Sequence, residues 1–159
     1  NFRRQFDQLR RLGAVAEGRW GLTVGWEACD FFDWDRAWCR VVVDAHYAEG
    51  RKVIEATAID YKTGRVYPDH GPQLELYAIG CFARYPEAQV VHTANWYLDQ
   101  PAREGISQES FTRREVAALQ KKWRQLVVPL LSDQTFAPTP GPPCARCAYS
   151  ARKGGPCEY

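Results

Sequence analysis

Ile59-Asp60-Tyr61-Lys62-Thr63-Gly64 is the stretch whose reading decides the fold. Side chains alternate along a β-strand, so Asp60 and Lys62 share one face while Ile59 and Tyr61 take the other. Thr63-Gly64 ends this strand, which reaches back to Val53 through VIEATAIDY. Before it, RVVVDAHY at 40–47 carries three consecutive valines and reads as a second strand. Glu49-Gly50 between the two suits a hairpin turn. Such a hairpin lays Asp44 beside Asp60. Two adjacent carboxylates repel each other unless a cation sits between them. Hard oxygen ligands of this kind suit Mg²⁺ or Mn²⁺, ions that bind substrate phosphates and activate water. A lysine beside them orients a nucleophile and stabilises transition-state charge. Alone, D-x-K is a weak pattern whose ordinary reading is a surface ion pair.

Outward from this pair, the spacing predicts a helix over 72–85, with Pro72 in its first turn. Gln73 and Tyr77 are four apart on it and share a face. Phe2, Phe6 and Leu9 form an apolar stripe, with Arg3, Arg4, Arg10 and Arg11 largely off it, on a helix ending near Gly13. Residues 20–26 suit a strand, 30–37 (DFFDWDRA) an acidic, aromatic turn region, and 90–98 (VVHTANWYL) a further strand. Residues 99–105 form a loop. Thr112 and Glu115 form a capping box opening a helix to about Leu131, which Pro129 kinks or ends. APTPGPP, 137–143, is a rigid connector. The fold class is therefore mixed α/β, a sheet layer flanked by helices with a Cys-rich tail. No G-x-G-x-x-G or Walker pattern is present, which argues against a dinucleotide or P-loop fold.

The 159 residues are 45% hydrophobic and 25% charged, ordinary for one globular domain. The formal net charge is only +2, so contact with a polyanion has to come from local patches. The last long helix, with Arg113, Arg114, Lys121, Lys122 and Arg124, offers one, although a solvated helix face is the ordinary reading. No apolar run approaches the roughly 18–20 residues of a membrane span. The chain starts at Asn1 and contains no Met, which reads as an N-terminally truncated fragment.

VVVD, then IDYKTG, then QLELY resembles the PD-(D/E)xK nuclease superfamily, within it the RecB-like branch with its Q-x-x-x-Y motif. Phage-type and CRISPR-associated exonucleases are the nearest in pattern. The resemblance implies a restriction-endonuclease-like core over 1–136, with 137–159 as connector and cysteine cluster packed on the same domain. It implies a Mg²⁺- or Mn²⁺-dependent deoxyribonuclease, an exonuclease rather than an endonuclease, acting on DNA ends or single strands in replication, recombination or repair. Asp44 and Asp60 would hold the metal, joined by the Tyr61 carbonyl, with Lys62 as the catalytic lysine. Gln73 and Tyr77 would contact DNA or brace the site. The upstream acid or histidine of the family has no convincing counterpart in 1–13, and Glu27 is the substitute candidate. A CRISPR-adaptation or helicase-associated module and a non-catalytic DNA-binding subunit are the alternatives. The setting would be the cytoplasm, the host's if phage-encoded, with a helicase or recombination protein as partner. His46 is read as a hydrogen-bonded sheet residue at the site's margin, His70 as a phosphate contact and His92 as structural.

Cys144, Cys147 and Cys157 read C-x₂-C-x₉-C, a spacing that suits a soft metal or an iron–sulfur cluster. In the resembling branch such a tail helps hold a [4Fe-4S] cluster, with zinc as the alternative here. The fourth ligand would precede Asn1 or come from Cys81, Cys39 or Cys29.

Overall fold

The computed structural model describes residues 2–64 and 71–159. His70 lies outside them. Helix α1 spans Arg3–Arg11, and strands β1 (Val15–Leu22), β2 (Ala28–Cys29), β3 (Cys39–Glu49) and β4 (Ile54–Lys62) follow. Helix α2 (Gly71–Arg84) leads to β5 (Ala88–Tyr97) and β6 (Ile106–Thr112). A 3₁₀ turn at Arg113–Glu115 opens α3 (Val116–Ser132). The chain forms two compact units, Asn1–Gln125 and Leu126–Tyr159.

The six strands form one sheet in the order β2-β1-β3-β4-β5-β6. Only β4 and β5 run parallel. A parallel neighbour cannot be joined by a tight turn, and the connection between them carries α2. Each face has its own core. Val41, Val43, Ala56, Ala58 and Val91 pack with Leu74, Ala78 and Phe82 of α2. On the other face Ala45, Ile59, Ala94 and Trp96 pack with Phe2 and Leu9 at α1. The stripe of Phe2, Phe6 and Leu9 explains α1, and Gly13 at φ +66 supplies the left-handed residue just past its end. Glu115 reaches back to the Thr112 amide at 2.7 Å, as the capping-box spacing requires.

Three details differ from the sequence expectations. The strand expected at 20–26 is β1, which starts at Val15. β6 was not foreseen, because ISQESFT is polar; it is an edge strand with only Phe111 buried. Pro129 neither ends α3 nor stops it before Ser132.

Candidate active site

β3 is shared between two neighbours. Cys39–His46 pair with β1, whereas Ala45–Glu49 pair with β4. The β3–β4 ladder stops at Ala45↔Ile59, one step short of Asp44 and Asp60. Beyond that point Asp60, Tyr61 and Lys62 pair only with β5. The two strands fork, and the fork is where the acidic residues sit. The β1–β3 ladder is broken at the same level, since Glu17 takes φ +56 and no pair joins it to Asp44. Val43 faces the α2 core while Ala45 faces the α1 core. Residues two apart on a regular strand would share a face, so β3 switches faces at Asp44.

Parting strands leave backbone donors unpaired. The Tyr61 amide finds its acceptor in Asp44, donating to Oδ2 at 2.5 Å. Asp44 is thereby tied to the backbone between Asp60 and Lys62. The Asp60 carboxylate is held at both oxygens. Lys62 Nζ lies 2.6 Å from Oδ2, and the Tyr77 hydroxyl donates to Oδ1 at 2.6 Å. Gln73 Nε2 donates to the Tyr77 oxygen at 2.6 Å, one helical turn away on α2. Burial, then the Asp60 carboxylate and then Asp44 push the Tyr77 phenol far above its ordinary value, so it stays protonated and keeps donating. Asp60 and Lys62 side chains are 14% and 24% exposed, which leaves the pair sheltered but reachable from solvent.

The structure thus brings together Asp44, Asp60, Lys62, Gln73 and Tyr77. The Tyr61 ring lies on the opposite face against Phe6 and Trp96, leaving its backbone as the part nearest the carboxylates. Burial, then Asp44, raises the Tyr61 phenol.

Glu27 does not join this group. It is exposed in the turn between β1 and β2, where its amide donates to Thr23 Oγ1. β1 ends at Leu22, opposite Cys39, five residues along β3 from Asp44. At about 3.4 Å per residue that is roughly 17 Å. The spacing of Glu27 from Asp44 carried no information about which end of β1 it would occupy.

His46 is buried beneath α2, its Nδ1 2.6 Å from the Tyr85 hydroxyl and its ring edge-on to Trp20. Only glycine fits beside it at position 18, where a Cβ would come within 2.5 Å of the ring. Burial, then Arg84, lowers its pKa. His92 bonds Ser110 Oγ and Glu55 on the α1 face, away from the acidic pair.

The basic residues are distributed differently from expectation. Arg113 is spent on structure, donating to the carbonyls of Phe82, Tyr85, Pro86 and Ala88. Lys122 pairs with Glu75, and Arg124 donates to the Val24 carbonyl. The α1 arginines Arg3, Arg4, Arg10 and Arg11 form no hydrogen bond or ion pair with the described residues. Arg3 and Arg10 line an open cavity of about 520 Å³ with Phe6, Ala45 and Tyr61, adjoining the fork on the α1 face.

The two carboxylates are acceptor-only oxygens, the chemistry Mg²⁺ and Mn²⁺ require. The Lys62 ammonium on Asp60 Oδ2 shows that this oxygen holds a cation in the fold as it stands. Among the described residues no group of three or more His, Cys, Asp or Glu side chains could hold a metal, so the acidic site offers a pair and not a closed cage. The same finding bears on the metal reading of the tail. Cys144, Cys147 and Cys157 are free thiols not gathered into a ligand set, and a [4Fe-4S] or zinc site there has no support. Their segment is organised by backbone instead. Ser150 bridges Cys157, the Cys157 amide donates to the Tyr149 carbonyl at 2.9 Å, and Gly155 lies against the Tyr149 backbone too closely for any Cβ. Among the described residues no helix is long and apolar enough to cross a membrane.

Comparison with known proteins gives three findings. A family model described as the PD-(D/E)XK nuclease superfamily matches residues 42–152, well over half of the chain. No curated protein matches. Solved structures also match. One, described as "Crystal structure of SSO0001", is 16% identical with a TM-score of 0.43; the match covers 92% of this chain and 63% of that one.

Proposed function

The chain belongs to the PD-(D/E)XK nuclease superfamily, and from that premise we propose that it is a divalent-metal-dependent deoxyribonuclease acting on DNA ends or single strands. Nucleases of this superfamily generally use Mg²⁺ or Mn²⁺. The observation that carries the reading is the constellation at the fork: Asp44 bonded to the Tyr61 amide, with Asp60 held between Lys62 and Tyr77.

Asp44 and Asp60 would hold the cation, joined by the Tyr61 carbonyl. When bound, the cation supplies Lewis acidity toward the scissile phosphate. Lys62 has three donors and one point charge. With a cation held there, the Lys62 ammonium would orient the attacking water and stabilise charge on the phosphoryl oxygens. Water adds to phosphorus and gives up a proton to solvent, the P–O ester bond breaks, and the leaving oxygen takes up a proton from solvent. Tyr77, kept protonated, fixes Asp60, and Gln73 fixes Tyr77.

The unpaired arginines of α1 and the aromatic edge of Phe6 beside the fork support binding of a phosphate backbone with unstacked bases. This is also what favours ends and single strands over intact duplex. A DNA substrate would suit work in the cytoplasm.

The test is cleavage of end-labelled single- and double-stranded DNA with Mg²⁺, Mn²⁺ or EDTA. Cleavage by progressive loss of the end label, abolished by EDTA, is expected. No hydrolysis of any DNA with either metal would refute the reading.

A further inference from the structure

β5 carries an unexplained residue. Asn95 is completely buried, and neither its Oδ1 nor its Nδ2 has a hydrogen-bond partner among the described residues. A buried carboxamide without partners is costly, about 1–3 kcal/mol per lost partner, and such groups persist where function requires them. Its position is specific. In the parallel β4–β5 ladder Asn95 is the registered partner of Asp60. Registered residues on neighbouring strands point the same way, and the strands lie about 4.7–4.9 Å apart. Alternation agrees: Val91 belongs to the α2 face, Ala94 and Trp96 to the α1 face, so Asn95 stands on the α2 face with Asp60. A leucine has the same branched shape and carries no polar atoms to leave unpaired, although it is bulkier.

We propose that Asn95 is a positioning residue for Asp60, its carboxamide N–H holding the Asp60 carboxylate in place when the Lys62 ammonium leaves it for the reaction. The proposal rests on the reading of Asp44 and Asp60 as the metal-holding pair. A carboxylate has about four lone-pair positions. Asp60 uses one for Tyr77 and one for Lys62. Lys62 cannot both stay on Asp60 and act at the phosphate, and its positive charge competes with a divalent cation for the same oxygen. A neutral donor one strand away does not compete. It keeps the carboxylate oriented while leaving its charge for the cation.

The test uses the whole chain and Mn²⁺ as probe, without DNA. Mn²⁺ affinity is measured by calorimetry for wild type and Asn95→Leu, with thermal midpoints of both. The expected result is a folded variant with Mn²⁺ bound roughly tenfold more weakly and kcat on DNA reduced more than KM is raised. A purely structural asparagine would move the midpoint and leave Mn²⁺ affinity alone. If Asn95→Leu does not fold, Asn95→Ser and Asn95→Ala are compared. They are close in volume and differ by one hydroxyl donor, and Ser should bind Mn²⁺ several-fold more tightly than Ala. Equal affinities in the folded pair, or wild-type affinity in Asn95→Leu, would overturn the role of Asn95 alone. Wild-type protein that binds no Mn²⁺ would overturn the metal reading and this inference with it.

Discussion

Asp44 accepts the amide hydrogen of Tyr61 at 2.5 Å, across the point where β3 and β4 part. This bond satisfies a donor that the forked ladder abandons, and it sets one carboxylate next to the strand bearing the other. Asp44→Asn should therefore have two effects. It removes the anionic charge, which should lower cleavage at least a hundredfold, yet it keeps a carbonyl acceptor for the amide, so the fold should survive. Circular dichroism and a cleavage assay on one preparation check both. An active Asp44→Asn protein would remove Asp44 from the site.

Lys62 pairs with Asp60 at 2.6 Å with part of its chain exposed. If its ammonium served only as a surface ion pair, Lys62→Met would cost less than about 1 kcal/mol of stability and leave activity intact. As the catalytic lysine it should be required, with cleavage falling by 10²–10³-fold, on the order of losing one preorganised donor. DNA binding measured in EDTA should change little.

Tyr77→Phe deletes the hydroxyl that joins Gln73 to Asp60. Two polar groups then lose a partner, so stability should drop by about 1–2 kcal/mol. Cleavage should fall roughly tenfold, equivalent to about 1.4 kcal/mol. Gln73→Ala removes a donor to Tyr77 without touching Asp60 and should have the smaller effect on rate. The reverse order in a kinetic comparison would contradict the bracing chain.

His46 is buried and its pKa is lowered from the usual 6.5. The unfolded chain therefore binds the proton more readily than the folded one. Stability from a neutral His46 is complete above pH 6.5 and declines as pH falls below it. Thermal midpoints at pH 7.5 and 5.5 should differ, and His46→Gln should narrow the difference. The shifted carboxylates Asp33, Glu115 and Asp133 lose their contributions only near or below their ordinary range around pH 4, so they do not enter this window.

Arg3 and Arg10 have no partners among the described residues, whereas Arg113 has four carbonyls. Replacing Arg3 and Arg10 together with Gln should weaken binding to single-stranded DNA and flatten the plot of log K against log salt by roughly 1.4. Arg113→Gln should do the opposite. It should cost about 2–3 kcal/mol of stability, since its hydrogen bonds are charge-assisted, and leave the salt slope unchanged. Denaturation curves and salt titrations separate the two kinds of arginine.

Local periodicity was enough for much of this. Alternation put Asp60 with Lys62 and against Tyr61, because a strand's side-chain direction is set by its own backbone. The four-residue step joined Gln73 to Tyr77 for the same reason, and the apolar stripe of α1 and the Thr112–Glu115 box marked helices through contacts a few residues long. What tertiary structure alone decided involved partners distant in sequence. Glu27 was a candidate on residue type but lies at the wrong end of β1. Arg113 read as a solvated charge until the carbonyls ending α2 surrounded it. The three tail cysteines had a ligand's spacing without a ligand's convergence. Asn95 sat unnoticed in VVHTANWYL, since a strand buried on both faces shows no alternation to say which side faces Asp60. The parallel register between β4 and β5, made through α2, determines that, and hydrogen bonding between strands so far apart in the chain leaves no local trace.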